Sequence, residues 1–144
     1  MQLTSTIAAL FSTSALAATL STFASTEWTL ESLSRVIDST DESVTWSFGI
    51  NTNEEGVDVT PCTYTVEATT EAPATQSTGG PVSCGVFNIT SGWSGQFGDD
   101  QGFTVLSVVD YAKKLIVYAG YTDASVTNGT VVDPDLSFPV QTLQ

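Results

Sequence analysis

The stretch 103–121, FTVLSVVDYAKKLIVYAGY, constrains the fold of this chain more than any other. Two runs rich in Val, Ile, Leu, Tyr and Phe flank a polar break from Asp110 to Lys114. Each run has the length of a strand, and β-branched and aromatic side chains suit a pleated, half-buried surface. The break reads as a hairpin connection, an unusual one because it contains Tyr111 and Ala112. In the first run Phe103, Val105, Ser107 and Val109 share one face, and Thr104, Leu106 and Val108 the other. In the second, Leu115, Val117 and Ala119 oppose Ile116, Tyr118 and Gly120. Neither run has a purely polar face, so the expectation is two central strands covered on both sides. A lone hairpin is not stable in water, and the rest of the chain must cover it.

That cover is also β-rich. Val44, Trp46, Phe48 and Ile50 alternate with Thr45, Ser47, Gly49 and Asn51, the pattern of a strand with one face in a core and one in water. Before it, EWTLESLSRVID predicts a strand of imperfect alternation through Trp28, Leu30, Leu33, Val36 and Ile37. Residues 51–56, NTNEEG, are turn chemistry. In 57–68, Cys62, Tyr64, Val66 and Ala68 share a face, and Pro61 points to an edge position or a bulge. Residues 69–81, rich in Thr, Ala, Pro and Gly, read as a mobile loop. CGVFNIT and SGWSGQFG are two further short strand candidates, and 98–102 is a turn. Asn128-Gly129 is a tight-turn dipeptide, with Val131-Val132 and 137–143 as closing strands. No internal repeat, long helical period or linker interrupts this series. The predicted fold is all-β: a single-domain antiparallel β-barrel or sandwich, with closure into a barrel the simplest way to remove sheet edges.

The first residues read as a signal peptide, 1–17. Residues 7–18 are small and apolar, Ala15-Leu16-Ala17 is an A-x-A pattern, and 2–26 carry no charge. Cleavage is expected after Ala17, with Ala24 as a second position and a short N-terminal helix as the bland alternative. The domain then spans 18–144, enough to bury a core, and the protein is expected to be extracellular. Beyond the leader no apolar run has the length of a membrane span. Sixteen acidic residues against Arg35, Lys113 and Lys114 give a net charge of −13. Such a surface repels phosphate backbones and anionic lipid, so neither nucleic acid nor membrane insertion is expected, and self-repulsion favours a monomer.

Cys62 and Cys84 are the only cysteines. In an oxidising compartment they have one possible internal pairing, a disulfide closing the 69–81 loop at its base; without the leader they would be two free thiols.

Chemistry is mostly excluded by what the chain lacks. It contains no histidine, which removes Ser-His-Asp and Cys-His nucleophiles and imidazole metal ligands together. Disulfide use removes thiolate catalysis. A carboxylate pair of the glycoside-hydrolase kind survives as an alternative, with Glu54-Glu55 and Asp99-Asp100 the densest candidates, although both read as solvated turn charges. Asp133-Pro134-Asp135 could offer oxygens to calcium, but a Pro-containing turn is the better reading. Trp93 in a glycine-rich stretch could stack on a sugar in a cell-wall or small-ligand binding module; packing is favoured, and Trp28 and Trp46 fit the core. Asn88-Ile89-Thr90 and Asn128-Gly129-Thr130 are glycosylation sequons, the second being the more accessible by its turn.

With these residues assembled, the chain resembles a family of small secreted fungal proteins that elicit the hypersensitive response in plants. That family is in turn similar to the β-barrel allergens first known from moulds. The resemblance is carried by Trp28 with Leu30, Thr45-Trp46-Ser47-Phe48-Gly49-Ile50, Pro61-Cys62-Thr63-Tyr64, Gly80-Pro81 and Cys84-Gly85. It continues through Ser91-Gly92-Trp93-Ser94-Gly95-Gln96-Phe97, Gly102-Phe103-Thr104, Leu106-Ser107-Val108-Val109-Asp110, Tyr121-Thr122-Asp123, Gly129 with Val131-Val132, and Pro134-Asp135. Family members carry another cysteine pair around the turn after the first strand, where this chain has Ile37 and Val44, which implies one staple fewer and a looser first hairpin. The resemblance implies no catalytic residue and no cofactor. It implies an effector or elicitor acting by being bound in the plant apoplast, by a host extracellular or cell-surface protein. The expected contact surface is a patch of exposed loops at one end, drawn from NTNEEG, the 98–102 turn and the 69–81 loop, with Glu54, Glu55, Asp99 and Asp100 its expected contact residues.

Overall fold

Alternation is strictest in the second strand, and there every second side chain from Val44 to Ile50 is buried. The computed structural model describes residues 26–144, so the leader reading of 1–17 lies outside the described residues. Nine strands follow in order: β1 Glu27–Ile37, β2 Ser43–Asn51, β3 Thr60–Glu67, β4 Gly79–Cys84, β5 Phe87–Ser94, β6 Phe103–Asp110, β7 Leu115–Thr122, β8 Leu136–Pro139 and β9 Gln141–Thr142. They form two antiparallel sheets, β3-β2-β1-β8 and β4-β5-β6-β7-β9. The fold is therefore an all-β sandwich. One core lies between the sheets, built from Trp28, Leu30, Trp46, Ile50, Ile89, Leu106 and their neighbours.

Closure is partial and chemical at one side. Cys62 of β3 and Cys84 of β4 are bonded, with Cα atoms 5.3 Å apart, so the disulfide ties an edge strand of one sheet to an edge strand of the other. Pro61 lies on that same edge strand, where its missing N–H costs no ladder bond. On the other side the chain passes from β8 in the first sheet to β9 in the second.

Several sequence expectations are corrected. The β6–β7 hairpin has its expected register, Phe103 opposite Thr122 through Asp110 opposite Leu115, but its outer face is covered only in part, at Val109 and Ile116. Thr104, Leu106 and Val108 are buried, whereas Tyr118 on the outer face is 49% exposed, because among the described residues no third layer lies over this sheet. In β1 the register shifts between Glu31 and Ser34, with Ser32 at φ 50°. This bulge reverses the in–out phase, so Arg35 is buried and Val36 is 52% exposed, the opposite of the simple apolar reading. The stretch 69–81 is not loop throughout: Ala74–Gln76 form a 3-10 turn and β4 begins at Gly79. The two short candidates around Val86 and Trp93 merge into the single strand β5, and 131–132 lie outside any strand.

Candidate functional site

Strand register sorts the loops between the two ends of the sandwich. Ser43 opposite Glu67 and Ile37 opposite Val44 place residues 38–42 and 68–78 at one end. Phe103 opposite both Ser94 and Thr122 places 95–102 and 123–128 at that end too, with Asp123 reaching Arg35 near the end of β1. The loop 52–59 and the turns 85–86 and 111–114 lie at the opposite end. Thus the 98–102 turn and the 69–78 segment share an end, whereas NTNEEG, expected to work alongside them, does not.

The two ends differ in charge. Asp38, Asp41, Glu42, Glu67, Glu71, Asp99 and Asp100 lie at the first, the acidic end, all exposed or half-buried. Its nearby cation, Arg35, is buried and paired with Asp123 at 3.0 Å. Both lysines, Lys113 and Lys114, are on the hairpin turn at the other, the lysine end.

Some of the acidic-end carboxylates have structural partners. Asp38 accepts hydrogen bonds from the N–H groups of Glu42 (2.8 Å) and Thr40 (3.1 Å) and from the Ser43 hydroxyl. These bonds, the Glu42 N–H first, hold its carboxyl below the usual carboxylate value. They also tie the turn between Ile37 and Val44. Asp41 accepts from the N–H and hydroxyl of Thr75 and, through its carbonyl, from the Ala74 N–H, which pins the 3-10 turn. Asp123 binds Arg35 Nη1 through one oxygen and Trp93 Nε1–H, at 2.9 Å, through the other. Trp93 is therefore a half-buried packing residue over Gly95 and Gly102. Glu67, Glu71, Asp99 and Asp100 have exposed side chains without a hydrogen bond or ion pair among the described residues.

At the lysine end Glu54, read as a solvated turn charge, is paired with Lys113 Nζ at 3.3 Å, while Glu55 is exposed. The two adjacent carboxylate pairs therefore lie at opposite ends. Asp135 Oδ1 accepts from the Ser32 N–H and serves the β1 bulge. Among the described residues no group of three or more His, Cys, Asp or Glu side chains could hold a metal ion. No described helix is long and apolar enough to cross a membrane. Asn88 is half-buried on β5, and its Oδ1 accepts from the Ser83 hydroxyl. Asn128 is exposed, but its side-chain amide pairs with both the N–H and the C=O of Ile37. Sequence reasoning missed Arg35, Asp41 and Asp123 as organising residues. The one available signal was a single arginine in so acidic a chain.

The fold is a small all-β sandwich that uses part of its carboxylates as caps and, among the described residues, leaves others unpaired on end loops. The family described as Effector TSP1 matches residues 29–143, and the chain belongs to that family. Effector TSP1 of the fungus Hypocrea virens (strain Gv29-8 / FGSC 10586) is 49% identical over 112 residues, which cover 78% of this chain and 74% of that protein.

Proposed function

We propose that this protein is a secreted fungal effector that acts by being bound outside plant cells and triggers host defence or cell death, without catalysis. The observation that carries this reading is the segregation of charge. Four unpaired carboxylates, on Glu67, Glu71, Asp99 and Asp100, stand at an end whose nearby cation is buried. Unpaired charges on a rigid scaffold steer and orient a partner of opposite sign. The partner is then a host extracellular or cell-surface protein with a basic patch, and the association weakens as salt rises. Family membership supports the effector role, and the likeness to hypersensitive-response elicitors suggests how it is read out.

The test compares three double variants: Glu67→Gln with Glu71→Gln, Asp99→Asn with Asp100→Asn, and Glu54→Gln with Glu55→Gln. Each is checked for fold by near-UV circular dichroism and infiltrated into leaves beside the parent and a heat-unfolded control. The first two should fold and lose cell-death activity, and the third should retain it. An inactive parent, or full activity in both acidic-end variants, would sink the proposal. Glycan turnover that disappears together with activity when one carboxylate is changed would establish the enzyme reading instead.

A further inference from the structure

At the lysine end a cavity of about 260 Å³ opens between the 52–59 loop, the 85–86 turn and the hairpin turn after β6. Its wall includes Phe87, which is buried edge-on against Trp28 with ring centroids 5.3 Å apart. Other parts of the wall are apolar yet open to water: Val57 is 47% and Val86 65% exposed, with Ala112 beside them.

Two polar groups are buried in this apolar setting. Asp110 is only 4% exposed, and among the described residues its carboxylate takes one hydrogen bond, from the Lys113 N–H to Oδ1 at 3.1 Å. Thr52 is 6% exposed, and its hydroxyl has no hydrogen-bond partner among the described residues. Buried polar groups in folded proteins are nearly always paired, so a buried carboxylate with an unused oxygen calls for an explanation such as a ligand. The wall also includes Asp58. The nearby lysine does not neutralise the site, because Lys113 Nζ is held by Glu54 at 3.3 Å. A pocket with apolar walls and a few convergent polar groups is the usual form of a small-molecule site.

We propose that this cavity binds a small primary amine with an apolar body, of the arylalkylamine kind. The ammonium donates to the Asp110 carboxylate oxygen that the Lys113 N–H leaves free. The apolar body lies against Phe87 and covers Val57 and Val86. The cavity is just under the range of about 300–1,000 Å³ for drug-sized ligands, so the guest is smaller than those. The inference is independent of the host-binding role, which uses the opposite end.

The experiment titrates the full disulfide-bonded protein with phenethylamine, phenethyl alcohol and phenylacetate, three probes with one aromatic body and a positive, neutral or negative head. Backbone amide shifts are followed by NMR at about 150 mM salt, where diffuse attraction to the acidic surface is screened. Saturable shifts confined to Thr52, Val86, Phe87 and residues 110–113 are expected for the amine, with the alcohol at least about tenfold weaker, as loss of a charge-assisted hydrogen bond implies. Asp110→Asn keeps an acceptor for the Lys113 N–H and should weaken the amine by a similar factor. Val86→Arg, at an exposed position, should block the mouth with the fold intact, and covers the case in which Asp110→Asn does not fold. The proposal is overturned if the amine gives no saturable shifts, or gives them only at the acidic end. It is overturned equally if amine and alcohol bind alike, or if Val86→Arg binds like the parent.

Discussion

Arg35 shows how one side chain can organise distant parts of a chain. Its guanidinium lies over the Trp46 ring, 5.5 Å from the centroid, and its Nη1 meets Asp123, while its Nε is buried without a partner. Asp123 also holds the Trp93 indole, and its backbone N–H bonds the Gly102 carbonyl, so its carboxylate joins β1 to β5 and its backbone reaches the residue before β6. Removing it strands a buried positive charge. Breaking a fully buried pair costs about 3–5 kcal/mol. The Asp123 side chain is 37% exposed, so water reaches the vacated space and the cost should be nearer about 2–3 kcal/mol. Glu54→Ala removes an ion pair whose lysine is 53% exposed, and should cost less than about 1 kcal/mol. Urea midpoints of Asp123→Ala and Glu54→Ala measure the difference directly. Equal midpoints would mean that the Arg35 site is far wetter than its burial implies.

At the scale of elements, the first strand is the instructive one. β8 pairs with it only from Glu27 to Leu30, so beyond the bulge its edge is met by non-strand residues. Ser32 N–H bonds Asp135, Leu33 C=O bonds Val132 N–H, Arg35 C=O bonds Gly129 N–H, and Ile37 is bonded on both backbone groups by the Asn128 side chain. An unpaired edge is a template for association, and this segment blunts it. Asn128→Ala removes two of these bonds and should cost about 1–2 kcal/mol, with faster hydrogen exchange at the Ile37 amide. Unchanged exchange there would show that water replaces the side chain at no cost. β2 was legible because strict alternation has one interpretation, and the β6–β7 hairpin because its apolar runs and break have strand and turn lengths. The bulge was not, since ESLSR carries no Gly or Asn to mark a positive φ. A one-residue shift then inverts every later face, so Val36 looked like core and Arg35 like surface. The turn charges at Glu54, Glu55, Asp99 and Asp100 were legible as turns. Which of them share an end depends on register between strands far apart in sequence, and Asp123 lies 88 residues from its arginine.

For the molecule as a whole, a net charge of −13 is a standing cost, because like charges favour expansion of the chain. The cost should be concentrated at the acidic end, where Glu67, Glu71, Asp99 and Asp100 have no partner to lose. Neutralising these four together, to Gln and Asn, should therefore raise stability, by about a few tenths of a kcal/mol per charge. The gain should be largest at about 0.01 M salt, where the screening length is about 30 Å, and should mostly vanish at about 1 M, where it is about 3 Å. Asp38→Asn and Asp41→Asn should do the opposite at any salt, because those carboxylates accept backbone and hydroxyl hydrogen bonds that hold the turn. Urea midpoints of the fourfold variant and of each single variant, measured at the two salt concentrations, separate the groups. A fourfold variant less stable than the parent at low salt would mean that these charges serve the fold. The contact role proposed for the acidic end would then lose its physical basis, since it rests on carboxylates that the folded state does not need.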